Sequence, residues 1–284
     1  MRSAVPEHVG DIRAGLGEGP VWDAERNRLV WIDIRHHRLY TTDVASGDTM
    51  QRDLPDAPGC VALADDGALV LGIGQQLLTI TAGGSLQEVA DLPEASIGRF
   101  NDGKPDAAGR FWVGTATSDG HYECSLWRHG AGQGFNQMAA GISMSNGLGW
   151  SPDGTEMYYV DSMTHRIDVF DFDLPTGSVS NRRPWVSLPE GQLPDGLCVD
   201  AEGCVWLAVW GQSCVICFAP NGMEERRIKV PTPMVTSCAF GGQDYRTLFI
   251  TTACEDVDDP HAGRLFAADT GSKGLQPDRV RLAR

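Results

Sequence analysis

Short runs of alternating or continuous apolar residues, four to eight long, recur along the whole chain, and each is bounded by a turn signal. The turn signals Asp66-Gly67, Ala108-Gly109, Asp153-Gly154 and Glu202-Gly203 show the spacing most clearly. With Asn27 as the first marker and Gly67, Gly109, Gly154 and Gly203 after it, the steps are 40, 42, 45 and 49 residues, and the Gly241–Arg246 turn continues the series. A period of this length suits four β-strands per propeller blade.

The first unit reads PVWD, LVWIDI, RLYTTDV and TMQRDL and the fourth GLGW, EMYYVD, RIDVFDF and RRPWVSL, with the β-branched and aromatic residues that strands favour. Helical periodicity is absent. The last unit offers three strands, TSCAF, TLFITT and RLFAAD, so the segment near Glu7–Arg13 is expected to supply its outer strand and close the ring. The expected architecture is an all-β, six-bladed propeller of four-stranded antiparallel blades, and residues 1–284 form one domain, since no linker or composition shift divides them.

Alignment of the innermost strands on the turns that follow them brings out a ring of polar positions. The residue five places before each turn is Glu18, Cys60, Asn101, Asn146, Asp195 or Ser237, and each can offer a hydrogen bond or a metal bond. Innermost strands run side by side along a central channel, so these side chains should converge at one mouth. Two carboxylates and two amides facing one another are costly to bury unless a cation compensates them. Oxygen donors suit Ca²⁺, Mg²⁺ or Mn²⁺, and Zn²⁺ is acceptable with few ligands and added water. The competing expectation is that Glu18-Gly19, Asn146-Gly147 and Asp195-Gly196 only cap turns. Strand direction places the segments Arg35–His37, Ser118–Glu123, Ser162–His165, Trp210–Ser213 and Glu255–His261 at that mouth, together with the approach Ile97–Asn101. Arg99, two residues before Asn101, could lean toward it and hold a substrate hydroxyl or an oxyanion.

Other signals narrow the chemistry. The net charge of -15, from 38 acidic and 23 basic residues, argues against nucleic acid or an anionic membrane as partner. No apolar leader or membrane-length apolar run is found, and a cytoplasmic protein is expected. Most of the eight cysteines lie in apolar strands and read as buried free thiols; Cys214 and Cys217, although spaced Cys-x-x-Cys, would face opposite sides of a strand. The run Glu255–Asp259 fails the EF-hand template, Gly141–Ser145 fails the nucleophile elbow, and no nucleotide-binding loop is present.

Five motifs then stand in order: GEGPVWD at Gly17–Asp23, RFNDGKPD at Arg99–Asp106, SNGLGWSPDG at Ser145–Gly154, PDGL at Pro194–Leu197 and SCAFGG at Ser237–Gly242. Together they resemble the gluconolactonase and regucalcin (senescence marker protein) family across nearly the whole chain. The resemblance implies a six-bladed propeller that hydrolyses a sugar lactone with one divalent metal ion. It implies metal ligands at Glu18, Asn146 and Asp195 and substrate contacts at Arg99 and Asn101. A further acidic contact in the blade-three loop falls on Asp119 by count, or on Glu123 if the loop shifts. Asp195, a carboxylate beside the ion, is the expected general base. The rival expectations are a calcium-binding regulatory propeller without turnover, a promiscuous metal-dependent esterase or organophosphate hydrolase, and, last, an interaction scaffold.

Overall fold

In a computed structural model of the chain, which describes residues 5–94, 96–117, 123–254 and 259–282, strands and turns account for nearly all regular structure. A two-residue strand, β1 (Glu7–His8), comes first. Blade one follows with β2 (Gly17–Asp23), β3 (Arg28–Asp33), β4 (Arg38–Asp43) and β5 (Thr49–Asp53). Blade two has β6 (Pro58–Leu63), β7 (Leu69–Ile73), β8 (Gln76–Ile80) and β9 (Leu86–Asp91). Blade three has β10 (Arg99–Pro105), β11 (Phe111–Ala116), β12 (Cys124–Gly130) and β13 (Gly134–Ile142). Blade four has β14 (Ser145–Trp150), β15 (Glu156–Asp161), β16 (Arg166–Asp173) and β17 (Ser178–Ser187). Blade five has β18 (Leu193–Val199), β19 (Val205–Trp210), β20 (Cys214–Phe218) and β21 (Glu224–Lys229), and blade six β22 (Val235–Gly241), β23 (Thr247–Thr252) and β24 (Phe266–Asp269).

Each blade is an antiparallel four-stranded sheet in chain order, and blade six is completed by β1, where Glu7 opposes Ala267 and His8 opposes Phe266. The closure expected from Glu7–Arg13 therefore occurs, but through two residues only. The innermost strands make the ring: β2 packs against β6 and β22, and the circle runs on through β10, β14 and β18. The apolar pattern follows from this placement. Strand β6 is buried throughout, whereas the outermost strands β9 and β21 (LQEVAD and EERRIK) are mostly exposed, so the core sits between blades. Among the described residues no helix is long and apolar enough to cross a membrane.

Two of the marker turns, at Gly109 and Gly203, are held by buried aspartates. Asp106 accepts hydrogen bonds from Ala108 N (3.0 Å), Arg110 N (3.1 Å), Arg110 Nε (2.7 Å) and Trp112 Nε1 (2.8 Å). Asp200 does the same for Glu202 N, Cys204 N and Trp206 Nε1. This end of the channel is crossed by residues 270–282, where Gly274 bridges Asp200 and Val280 bridges Ala64.

Asp106→Ala leaves a buried indole N–H, two backbone amides and Arg110 without their acceptor, so it should cost about 3 kcal/mol. Asp53→Ala removes only an exposed partner of Arg38 and should change stability by less than about 0.5 kcal/mol. Denaturant unfolding of the two variants checks the contrast; similar losses in both would contradict it.

Candidate functional site

Every innermost strand carries one register irregularity near its start: between Glu18 and Val21, Pro58 and Cys60, Phe100 and Gly103, Ser145 and Leu148, Pro194 and Leu197, and Val235 and Ser237. In each case the inner strand advances one residue more than its partner, which is the signature of a β-bulge. A bulge breaks the two-residue alternation and re-aims side chains. Here it turns consecutive residues toward the channel. Glycine follows three of the polar positions, and at two of them the neighbouring blade is close: a Cβ on Gly147 would lie 2.6 Å from Asp195 O, and one on Gly196 would meet the Ser237 side chain. Gly147 and Gly196 therefore serve close approach between blades, whereas Gly19 has room for a Cβ and is favoured by its left-handed backbone, φ 54°.

Glu18, Asn101, Asn146 and Asp195 are each no more than 8% exposed; Asn101 and Asn146 are hydrogen-bonded to one another, and Glu18 lies near enough to Asp195 to push its pKa up. A directed chain of hydrogen bonds runs through the amides. Arg99 Nη1 donates to Asn101 Oδ1 (3.0 Å), Asn101 Nδ2 donates to Ser145 O (2.7 Å) and Asn146 Oδ1 (3.3 Å), and Asn146 Nδ2 donates to Ser162 Oγ (2.8 Å). Ser162 Oγ then donates to Pro194 O (2.8 Å), beside Asp195. The chain fixes both amide orientations across blades three, four and five. Upstream, Asp33 accepts from the amides of Gly15 and Leu16, and Asp161 from those of Ser143 and Met144, which holds the backbone entering Glu18 and Asn146.

The other two ring positions behave differently. Cys60 packs in the apolar core between blades two and three, with Phe100 and Leu77, and takes no part in the polar cluster. Ser237 is buried beside Gly196 and faces the far half of the channel. Glu123 lies in an exposed turn at the start of β12. That turn is at the same end of blade three as Arg99, which opposes Ala116. Asp119 lies outside the described residues.

Two residues belong to the site that the sequence pattern does not single out. Asp102, adjacent to Asn101 inside the blade-three bulge, is buried, and its Oδ2 has no hydrogen-bond partner. Strict alternation would have sent it to the opposite face from Asn101. Lys104 extends its ammonium across the channel to the carbonyls of Leu148 (3.2 Å) and Leu197. Beneath them lies a cavity of about 490 Å³ walled by Val21, Val61, Trp150 and Val199 and bounded by Leu275 and Pro277.

Electrostatically the site is short of positive charge. Burial, and then the Asp102 carboxylate, push Glu18 up from 4.5 to about 8 against the opposing pull of Lys104 and Arg99. Burial, Glu18 and Asp102 push Asp195 well above the usual carboxylate range, and burial pushes Asp102 up as well. Burial also lowers Arg99. Carboxylates this reluctant to ionise, an unpartnered carboxylate oxygen and an amide oxygen form a hard donor set that fits a divalent cation.

The comparisons with known proteins agree with this architecture. Residues 16–254 match the family described as SMP-30/gluconolactonase/LRE-like region. The chain belongs to that family. It is 35% identical to regucalcin of Gallus gallus, with 98% of each chain covered, and 36% identical to "Putative sugar lactone lactonase YvrE" of Bacillus subtilis (strain 168), with 94% of this chain and 95% of that protein covered. The crystal structure of a calcium-binding protein, regucalcin, from Agrobacterium tumefaciens superposes with a TM-score of 0.93 at 28% identity, covering 99% of this chain and 98% of that one. In this SMP-30/gluconolactonase family member, Ser162 is a positioning residue that the sequence pattern locates only as part of a mouth loop.

The raised carboxylates set a pH signature for the metal-free protein. Between 4.5 and about 8 the unfolded chain has released the Glu18 proton that the folded chain retains, so the folded state binds more protons and loses stability as pH rises. The melting temperature in chelator should therefore fall with pH across this window, and Glu18→Gln should reduce that slope. An unchanged slope in Glu18→Gln would refute the assignment.

Proposed function

We propose that the protein hydrolyses a sugar lactone to the aldonic acid with the help of one divalent metal ion, Ca²⁺, Zn²⁺, Mg²⁺ or Mn²⁺, held at the channel end by Glu18, Asn146 and Asp195. The observation that carries this reading is the burial of Glu18, Asp102 and Asp195, with Glu18 shifted upward by burial and then by Asp102, and Asp195 by burial and then by Glu18 and Asp102. Such a pocket is unfavourable empty and is relieved by a cation. The ion, when bound, would polarise the lactone carbonyl and keep the adjacent carboxylates ionised.

The chain's own residues supply the rest. Asp195 accepts a proton from the attacking water, whose oxygen adds to the lactone carbonyl carbon; when the ring C–O bond breaks, the leaving alkoxide takes that proton back. Water is consumed and nothing is oxidised or reduced. Arg99, fixed by its hydrogen bond to Asn101 Oδ1, offers donors to sugar hydroxyls or to the oxyanion, and Asn101 Oδ1 offers an acceptor to a sugar hydroxyl. Asp119 or Glu123 would add an acidic contact to a hydroxyl from the blade-three loop. The Bacillus relative's name supports lactone chemistry, and the Agrobacterium neighbour's description as a calcium-binding protein supports calcium binding, with or without turnover. Aldonolactone turnover separates hydrolysis from calcium binding alone.

Chelation should abolish hydrolysis of aldonolactones and a divalent ion should restore it, as followed by acid release; full activity in rigorously metal-free protein would reject the reading. Asp195→Asn should keep the fold yet lower kcat by roughly 10²–10⁴-fold, because an amide can ligate but cannot take the proton. Normal turnover in Asp195→Asn would place the base elsewhere.

Specificity should be separable from chemistry. Asp119→Ala or Glu123→Ala should raise KM for lactones with a hydroxyl in reach, by about 1–3 kcal/mol in kcat/KM, and spare a small unsubstituted lactone. Glu18→Ala should depress all substrates together. A lactone panel measured on the three variants tests this, and uniform losses in the loop variants would contradict it.

A further inference from the structure

Blade five carries a second group of metal-ligand atoms, on the outer half of the sheet and chemically unlike the channel site. Cys204 precedes β19 and Cys217 lies on β20, where it opposes Trp206, so the two thiols are diagonal neighbours on one face. Both are buried in the apolar cluster between blades five and six. Cys214 is on the other face of the same strand, in the cluster between blades four and five, so the Cys-x-x-Cys spacing does not define the pair. The third member is Glu225 on β21. Cys217 opposes Arg226 and Phe218 opposes Glu224, which leaves Glu225 as the extra residue of a β-bulge. In regular alternation Glu225 would point away from the Cys217 face; the bulge brings its carboxylate to the thiols. One ligand atom from each of Cys204, Cys217 and Glu225 lies within 4.8 Å of the others.

We infer that Cys204, Cys217 and Glu225 form a binding site for one thiophilic divalent ion of the zinc class, with water completing the shell. Two thiolates and one carboxylate give three protein ligands of the kinds that Zn²⁺ accepts in a tetrahedral site, whereas Ca²⁺ and Mg²⁺ disfavour sulfur. Glu225 is exposed, while Cys204 and Cys217 are buried, so an ion can enter from solvent past the carboxylate. Arg226, stacked over the Trp206 ring at 5.2 Å, borders the pair and offsets the charge that two thiolates introduce. Binding releases the thiol protons to solvent, and no redox step is involved. The site is independent of the proposed lactonase reading, because no residue is shared with the channel.

The test is a titration of the reduced, metal-free full chain with Cd²⁺, followed by the ultraviolet sulfur-to-cadmium charge-transfer band. We expect the band to saturate at one ion per chain, to vanish in Cys204→Ser and Cys217→Ser, and to persist in Cys214→Ser and Glu18→Gln. Glu225→Gln should keep the band but weaken binding about tenfold or more, as loss of a charged ligand requires. Alkylation mapped by mass spectrometry on the unmutated chain covers the case in which a serine variant fails to fold: one equivalent of Cd²⁺ should protect Cys204 and Cys217. No band, a band that survives Cys204→Ser, or alkylation of Cys204 unaffected by Cd²⁺ would each overturn the inference. A surviving band would point instead to Cys198 and Cys238, whose sulfurs are 3.7 Å apart.

Discussion

The constraint on which the channel depends is the burial of three carboxylates, Glu18, Asp102 and Asp195, at the meeting point of six strands. Removing such charge from water is costly unless it is neutralised or paired. Two cations stand nearby, Arg99 and Lys104, and each has hydrogen bonds of its own to satisfy: Arg99 to Phe100 O and Asn101, Lys104 to the carbonyls of Leu148 and Leu197. They moderate the repulsion without cancelling it, and burial, with Asp102 after it, keeps Glu18 raised to about 8. The protein thus keeps an electrostatic deficit where a divalent ion would remove it.

Such a cluster needs a scaffold that delivers side chains from several blades to one point, and the bulges provide it. A regular strand presents every second residue to the channel. A bulge near the start of each inner strand, in blade three between Phe100 and Gly103, lets Asn101 and Asp102, which are adjacent in sequence, both contribute, and the inner strands lie close enough that Gly147 and Gly196 admit no side chain. The amide chain from Arg99 to Pro194 O then ties three blades together at the level of the site. Glu225 shows the same device at work on an outer strand, where one extra residue carries a carboxylate to two thiols.

Much of this is legible in the sequence because repetition is a one-dimensional signal. The turn markers, the six units and the closing role of the N-terminal segment follow from spacing, and four of the aligned polar positions do meet. The departures have separate causes. Counting by twos cannot foresee a bulge, so it passes over Asp102, and alignment on the turns draws into the ring Cys60, which packs against Phe100 and Leu77. Lys104 escapes the pattern because its partners are backbone carbonyls of distant blades, which leave no side-chain signal. Ser162 falls on the expected loop, but its link between Asn146 and Pro194 is a tertiary contact. Residues 270–282 crossing the far end have no repeat to announce them.

The central claim is that the carboxylates are held protonated until a cation arrives, and calorimetric titration of the metal-free protein with Ca²⁺ at pH 7 tests it most directly. Repeating the titration in two buffers of different ionisation enthalpy counts the protons released. The account predicts saturable binding of one ion accompanied by proton release, because Glu18 and Asp195 must ionise to ligate, and loss of both signals in Glu18→Gln. Binding without proton release, or no binding of Ca²⁺ nor, in the same titration, of Mg²⁺ or Mn²⁺, would contradict it.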